Sequence, residues 1–87
     1  MKLTNVGYGN TVATNRIIAI VNPDAAPVRR MVADAKDTGR IIDATCGHKT
    51  RSVLIMDTGH VVLSALMTET LASRVGNHEI ALEEMGE

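Results

Sequence analysis

The sequence predicts a small α/β domain of the α+β kind, in which a mostly antiparallel sheet packs with one main helix and a short second helix. Its 87 residues suffice for a single domain. Short aliphatic and β-branched runs bounded by Gly, Asn and Asp indicate strands. Apolar residues at helical spacing indicate helices at about 24–38 and 68–75. Because Phe and Trp are absent and Tyr8 is the only aromatic residue, the core has to consist of Val, Ile, Leu, Met and Ala.

The first part of the chain supplies three predicted strands. Residues 2–6 and 11–14 flank Gly7-Tyr8-Gly9-Asn10, where two glycines and an Asn indicate a turn with special backbone angles. This Gly-x-Gly lacks the third glycine and the following helix of a dinucleotide-binding loop, which disfavours that function. Residues 17–21 are the most apolar run, and such continuous hydrophobicity predicts a strand covered on both faces.

The main helix is predicted to have Asp24 as its N-cap. Capping at Asn22 would place Pro27 inside the helix, where its ring clashes with a carbonyl group. Gly39 is predicted to end the helix in the left-handed conformation. The apolar side chains that recur at helical spacing and are expected to face the core are those of Val28, Met31, Val32 and Ala35.

The segment 45–51 lies between the apolar runs 41–44 and 52–56, and it is predicted to be a turn at the tip of two strands. A cationic tip on a rigid sheet can bind anions, and the alternative is an ordinary polar hairpin turn. The side chains that this tip would present to solvent are those of His48, Lys49 and Arg51.

The remainder of the chain is predicted to form a second hairpin and the short helix. Residues 52–66 contain two apolar runs around a turn at Asp57 and Gly59. Thr68 is the predicted cap of the helix at 68–75, and Gly76 its end. Three methionines are assigned to the core: Met31, Met56 and Met67.

Charge is distributed unevenly along the chain. The first 78 residues hold all nine lysines and arginines and six acids, a net charge of +3, whereas residues 79–87 hold four glutamates. Residues 77–87 are therefore predicted to be an acidic, flexible tail, whose Ile80, Leu82 and Met85 can pack on a neighbour. One cysteine excludes an internal disulfide, and the apolar runs are too short to span a membrane, so the cytoplasm is the expected location.

Few residues are suited to catalysis or metal binding. Cys46 and His48 are two positions apart, which leaves open a nucleophile with its base or half of a metal site. A structural zinc site needs four ligands, and the sequence offers no second cysteine. His60 and His78 are expected to be solvated. We therefore expect no enzyme, no metal, no cofactor and no small-molecule ligand.

What remains is a set of cationic side chains at the ends of predicted elements. Arg16, Lys49 and Arg51 lie at strand ends, which can converge in a small sheet. Arg29 and Arg30 oppose the dipole at the start of the main helix, an arrangement that an anion or a partner's carboxylate would relieve; a solvated helix face is the alternative. Arg and Lys suit phosphate groups. One tyrosine is a poor platform for stacking unpaired bases, but contacts to the backbone of duplex DNA need no rings.

The order and spacing of several short motifs resemble those of the RemA family, regulators of extracellular-matrix genes in Gram-positive bacteria. The match covers roughly residues 4–75. Its motifs are Asn5-x-Gly7-Tyr8-Gly9-Asn10, Asn15-Arg16, Ala26-Pro27-x-x-Arg30-Met31, Ile42-Asp43-Ala44-Thr45-x-Gly47-x-x-Thr50-Arg51, Ile55-Met56-Asp57 and His60-Val61-x-Leu63-Ser64.

This resemblance implies a single DNA-binding domain over residues 1–76. It implies a ring-like homo-oligomer that binds double-stranded DNA and activates transcription of biofilm-matrix operons. The DNA-binding residues of the family map onto Arg16 and, in the segment 45–51, onto His48, Lys49 and Arg51. His48 and Lys49 stand where the family commonly has arginines, and Lys49 keeps the charge but loses the bidentate geometry. The alternative function is a self-assembling scaffold that docks an acidic protein partner on the same cationic residues.

Overall fold

The computed structural model describes residues 2–76, and the predicted α+β class is confirmed. A short 3-10 turn at Thr14–Arg16 precedes the third strand. The predicted tail over 77–87 lies outside the described residues, as do His78 and the packing predicted for Ile80, Leu82 and Met85. The elements in chain order are β1 (Leu3–Gly7), β2 (Asn10–Ala13), β3 (Ile17–Val21), α1 (Ala26–Asp37), β4 (Ile41–Asp43), β5 (Ser52–Met56), β6 (Val61–Ser64) and α2 (Thr68–Val75).

The strands form two sheets. β1 and β2 make an antiparallel ribbon, and the other four strands make one sheet in the order β3-β5-β6-β4. β5 is antiparallel to both of its neighbours, which confirms the predicted hairpin over 52–66, whereas β4 is parallel to β6. The prediction that 45–51 is a hairpin tip is wrong, because β6 lies between β4 and β5. The short hairpin connection places β6 on one side of β5, and β3 occupies the other side, so β4 pairs with the remaining edge of β6.

The centre of the larger sheet is buried on both faces, and its central strands alternate between two core clusters. Leu54 and Met56 point to the face covered by α2 and β1, where Leu71 and Val6 are fully buried. Val53 points to the opposite face, which is covered by α1. This period of two is the ordinary consequence of strand geometry. Because both faces of the central strand β6 are covered, all four of its residues are buried.

The most apolar strand is covered less completely than predicted, because Ile17 and Ile20 pack on one cluster and Val21 on the other but all three are only partly buried. β3 lies at an edge of the sheet, none of its residues is fully buried, and the side chain of Ile18 is 67% exposed. β4 forms the opposite edge, with Ile42 48% exposed. The apolar sequence of β3 therefore exceeds what one subunit buries.

The helix ends differ in detail from the predictions. Ala25 is the N-cap of α1, because the side chain of Asn22 accepts the backbone N–H of Asp24 at 2.8 Å and forms a turn before the helix. Pro27 lies in the first turn, as predicted. Gly39 follows the helix with a φ of +71°, which confirms the left-handed cap. Met67, not Thr68, is the N-cap of α2.

Only one of the three methionines assigned to the core is buried. Met56 belongs to the cluster beneath α2, but Met31 and Met67 are exposed. Of the predicted stripe on α1, Val28 and Ala35 are buried and Val32 is partly buried against the same cluster. Neither described helix has the length and apolar character that crossing a lipid bilayer requires.

Candidate functional site

The segment 44–51 crosses the end of β6 and holds the residues that the sequence singled out. Thr45 is buried, and the backbone N–H of His48 donates to its carbonyl oxygen at 2.9 Å. Between them, Cys46 and Gly47 both have positive φ, 53° and 83°, as in a type I′ turn. Gly47 takes this conformation at little cost because it has no Cβ. The turn therefore has a defined shape rather than that of a loose loop.

Asp43 ties this turn to the end of β4. Its Oδ1 accepts the hydroxyl of Thr45 at 2.6 Å and the backbone N–H of Thr45 at 2.9 Å. These two hydrogen bonds, the one from the hydroxyl first, lower the pKa of the Asp43 carboxyl. Both hydrogen bonds are stronger to the carboxylate than to the neutral acid, so the turn is held most firmly while Asp43 is ionised.

Lys49 and Arg51 follow the turn and line a shallow cleft of about 140 Å³ at this end of the sheet. The backbone of Arg51 is held by its N–H, which donates to the carbonyl of Ser64 at 2.8 Å, and its guanidinium lies 4.0 Å from the sulfur of Met67. Asp24, an acidic residue, also lines this cleft. Its remaining lining residues are Asn22, Pro23 and Thr50.

A second cleft, of about 200 Å³, adjoins the first through Pro23 and Thr50. Arg29 and Lys36 are among its lining residues, and most of its lining is apolar. Arg29 and Lys36 are seven residues apart on α1, which is two turns along one helix face. Arg30 is exposed but does not line either cleft. The apolar residues lining this cleft are Val32, Val53 and Leu63.

We call the four side chains of Arg29, Lys36, Lys49 and Arg51 the cationic end of the sheet. Within residues 2–76, none of them forms an ion pair. Lys36 was missed by the sequence analysis, although its spacing from Arg29 is the signal that places the two on one face. The structure thus brings together Lys49, Arg51 and Arg29 from the predicted set, and it adds Lys36.

Arg16 does not converge with these residues in one subunit, which corrects the expectation from the sequence. β3 pairs with β5 so that Ile17 is opposite Met56, which places Arg16 beside Asp57 at the other end of β5. Its guanidinium lies 3.3 Å from the Asp57 carboxylate, and the carbonyl of Arg16 accepts the N–H of Asp57 at 2.9 Å. Six residue steps separate Arg51 from Asp57, a distance of about 20 Å along an extended strand.

His48 is engaged in a contact that the sequence did not reveal. Its ring stacks on that of Tyr8, with 4.9 Å between ring centroids and 13° between planes. Tyr8 stands at the tip of the β1–β2 ribbon with a φ of 53°, between two glycines of positive φ. The glycine-flanked turn was visible in the sequence, but its position over His48 depends on the docking of the ribbon. Both rings remain exposed beside Lys49.

The geometry gives no support to a Cys–His pair. In the described residues Cys46 makes no hydrogen bond to His48, whose Nδ1 instead lies 3.2 Å from the carbonyl oxygen of Thr45. His60 lies at the other end of the sheet, with Nδ1 2.7 Å from the hydroxyl of Thr58. Across residues 2–76, no three His, Cys, Asp or Glu side chains lie close enough to hold a metal ion.

Comparison with known proteins adds the family context. The model of the RemA-like family, described as extracellular matrix regulatory protein A-like, matches residues 3–75. A protein of Dictyoglomus thermophilum is 56% identical over 75 residues, which is 86% of this chain and 88% of the relative. One of Bacillus pumilus is 50% identical over 84 residues, 97% of this chain and 94% of the relative. One of Clostridium botulinum is 47% identical over 87 residues, 100% of this chain and 98% of the relative. All three are named only as regulatory proteins.

Proposed function

The chain belongs to the RemA-like family of regulatory proteins, and from that premise we propose that it is a transcriptional regulator that binds duplex DNA through the phosphate backbone. The observation that carries the proposal is the cationic end. Arg29, Lys36, Lys49 and Arg51 gather there without an ion pair among the described residues. The description of the family as extracellular matrix regulatory proteins supports biofilm-matrix genes as targets, with the protein as their activator.

Phosphate oxygens are the chemistry that these side chains suit best. The guanidinium of Arg51 offers a planar pair of N–H donors and the ammonium of Lys49 a point charge. The turn from Thr45 to His48 fixes the backbone from which both side chains project, so little backbone entropy is lost on binding. Arg30 and His48 stand next to these residues in the chain and are proposed as further contacts.

Arg16 supplies a second contact at the other end of β5. Its pairing with Asp57 is between exposed groups and is worth about 0–1 kcal/mol, so a phosphate group can replace the carboxylate. Arg16 and Arg51 are held about 20 Å apart along β5, so they would contact separate phosphate groups of one duplex.

Self-association would supply the affinity that one subunit lacks. Each subunit offers only a few phosphate contacts, too few for strong binding at physiological salt. β3 is an apolar edge strand with Ile18 exposed, and β4 at the opposite edge exposes Ile42. A contact between two different edges is heterologous, and copies joined in this way close into a ring or grow into a filament. We favour the ring, which repeats the cationic end around its circumference and raises affinity through linked sites.

The proposal is tested by replacing the two arginines separately. Arg16→Ala and Arg51→Ala are expected to weaken binding to a duplex carrying the upstream DNA of matrix genes by at least tenfold. The oligomer should keep its mass, because both side chains are exposed. Gel mobility shift and size-exclusion chromatography measure the two properties. Arg74→Ala, which removes an exposed arginine of α2, is the matched control. Unchanged DNA binding by both site variants would refute the assignment of these residues.

A salt titration separates this function from a scaffold that docks an acidic protein. Phosphate contacts predict that the logarithm of the DNA association constant falls linearly with the logarithm of salt concentration, with a slope set by the number of contacts. Arg51→Ala should make this slope shallower by about one contact per bound subunit. A scaffold would bind duplex DNA and unrelated polyanions alike, with no dependence on DNA length or promoter sequence.

A further inference from the structure

The surface at the cationic end suits a ligand that has apolar groups as well as negative charges. Of its two adjoining clefts, the one beside Arg29 and Lys36 is lined mainly by apolar atoms, with Pro23 and Val32 partly exposed. Val53 and Leu63 also line it but are buried. The one beside Lys49 and Arg51 includes the exposed side chain of Met67. A ligand that complements this surface carries several negative charges interleaved with aliphatic side chains. Duplex DNA supplies the charges but carries no flexible aliphatic side chains beside them.

Residues 77–87 of this chain have that chemistry. The segment carries four glutamates and no lysine or arginine. Three aliphatic or thioether side chains alternate with them, those of Ile80, Leu82 and Met85. The segment thus has as many glutamates as the cationic end has cations, and its apolar side chains suit the apolar part of the cleft lining. The segment therefore complements both the charge and the apolar lining of the clefts, whereas a purely acidic segment would complement only the charge.

The segment is also long enough to reach this surface in its own subunit. Met67, the N-cap of α2, lines the cleft of Lys49 and Arg51. The eight residues of α2 then carry the chain about 12 Å along the helix axis before Gly76. Eleven further residues can extend about 36 Å. Returning over the helix therefore uses about a third of the available length and leaves the remainder to lie in the clefts.

We propose that residues 77–87 dock on the cationic end of their own subunit and compete there with DNA phosphates. The competition rests on the proposed DNA binding, but the docking does not. Because the segment is tethered, its effective concentration at the clefts is on the order of 1 mM. Even a weak contact therefore masks the site for much of the time. High salt or a high local density of phosphates displaces the segment.

Docking is measured in the full chain with a probe that the sequence already provides. Cys46 is the only cysteine and is exposed in the turn that precedes Lys49. A nitroxide attached to Cys46 is expected to broaden the amide NMR signals of residues 79–87. Glu83→Gln with Glu84→Gln should reduce this broadening, and so should a high salt concentration. The control Asp34→Asn with Asp37→Asn removes the same two charges from α1 outside both clefts, and it should leave the broadening unchanged.

DNA binding is measured on the same variants. At low salt, the Glu83→Gln and Glu84→Gln protein is expected to bind duplex DNA about fivefold more tightly than the Asp34→Asn and Asp37→Asn control, as release of a tethered competitor requires. An equal gain in DNA affinity for both double variants would show that only net charge matters, and it would overturn the competition.

The outcomes separate the docking from the proposed function. Broadening that depends on the two glutamates in a protein that binds no DNA would support the docking and refute the DNA function. Broadening that is absent, or equal in all variants, overturns the docking whatever the DNA result. A mixture of isotope-labelled chains with separate nitroxide-labelled chains completes the test. Broadening in that mixture would place the segment on a neighbouring copy and overturn docking within one subunit.

Discussion

The carboxylate of Asp43 shows how one residue shapes the proposed contact surface. It accepts both the hydroxyl and the N–H of Thr45, and these bonds lower its pKa. A carboxyl whose pKa is lower in the folded state contributes stability above its unfolded pKa and loses it as the pH falls through the folded value. The turn before Lys49 should therefore keep its shape at neutral pH and loosen in acid, at a pH below the ordinary carboxyl range.

Thr45→Val tests this arrangement with almost no change in side-chain shape. The variant loses the hydroxyl donor but keeps the backbone N–H, so the pKa of Asp43 should rise toward its ordinary value. The acid loosening of the turn should then begin at a higher pH. Carbon-detected NMR of the Asp43 carboxyl, followed through a pH titration, measures the shift. Thr50→Val is the control within the same segment, and an Asp43 pKa that is equal in all three proteins would contradict the prediction.

At the scale of elements, the ribbon β1–β2 reaches the proposed site because two buried serines fasten it and the start of α2 to the sheet. Ser52 and Ser64 lie opposite each other on β5 and β6, and both are fully buried. The hydroxyl of Ser64 donates to the carbonyl of Val6 at 2.8 Å and accepts the N–H of Leu66 at 3.1 Å. The hydroxyl of Ser52 donates to the carbonyl of Leu66 at 2.7 Å. Tyr8 comes to lie over His48 because the ribbon is held here.

Ser64→Ala should therefore cost more than an ordinary loss of a hydroxyl. It leaves the carbonyl of Val6 and the N–H of Leu66 without their side-chain partner in a buried site, a penalty of about 1–3 kcal/mol. Urea denaturation measures the free energy of unfolding, and the ring-current shifts of Tyr8 and His48 report whether the stack loosens. Ser73→Ala on the exposed surface of α2 is the control. Equal stability of both variants would show that Ser64 does not hold the ribbon.

At the scale of the whole molecule, the unusual feature is how much apolar surface the two sheet edges leave exposed. An uncovered apolar edge strand such as β3 is a template for pairing with another chain. Complete burial of one isoleucine side chain stabilises a contact by about 1.5–3 kcal/mol. The exposure of Ile18 and Ile42 is thus consistent with the proposed association of edges and would be a liability without it.

Ile18→Ser is expected to weaken each contact between copies by about tenfold to a hundredfold, which follows from about 1.5–3 kcal/mol per contact. The subunit should still fold, because the side chain of Ile18 is largely exposed within it. Multi-angle light scattering across a dilution series would then detect dissociation. Leu3→Ser removes an exposed apolar side chain from the separate ribbon and is the control. An unchanged mass for Ile18→Ser at every concentration would exclude β3 from the interface.

Local patterns were sufficient to predict most elements of this fold. Strand and helix periodicity, the glycine after α1, the proline in its first turn and the hairpin over 52–66 all depend on residues close together in the chain. The errors at the helix caps are also local, since Asn22 and Ala25 show that a turn before the helix can displace the expected cap. Within the site, Lys49, Arg51 and Arg29 could be recognised because each follows or opens a predicted element.

Tertiary structure decided the order of the strands and, with it, which charges meet. No short-range pattern states that β4 pairs in parallel with β6, so the segment 45–51 could not be recognised as a crossover. Strand register placed Arg16 about 20 Å from Arg51 and beside Asp57, whereas packing of α1 added Lys36 to the cationic end. Sequence by itself thus determined the elements and the cationic character of the proposed site. Its geometry came from contacts between residues distant in the chain, because those contacts depend on how whole faces are buried.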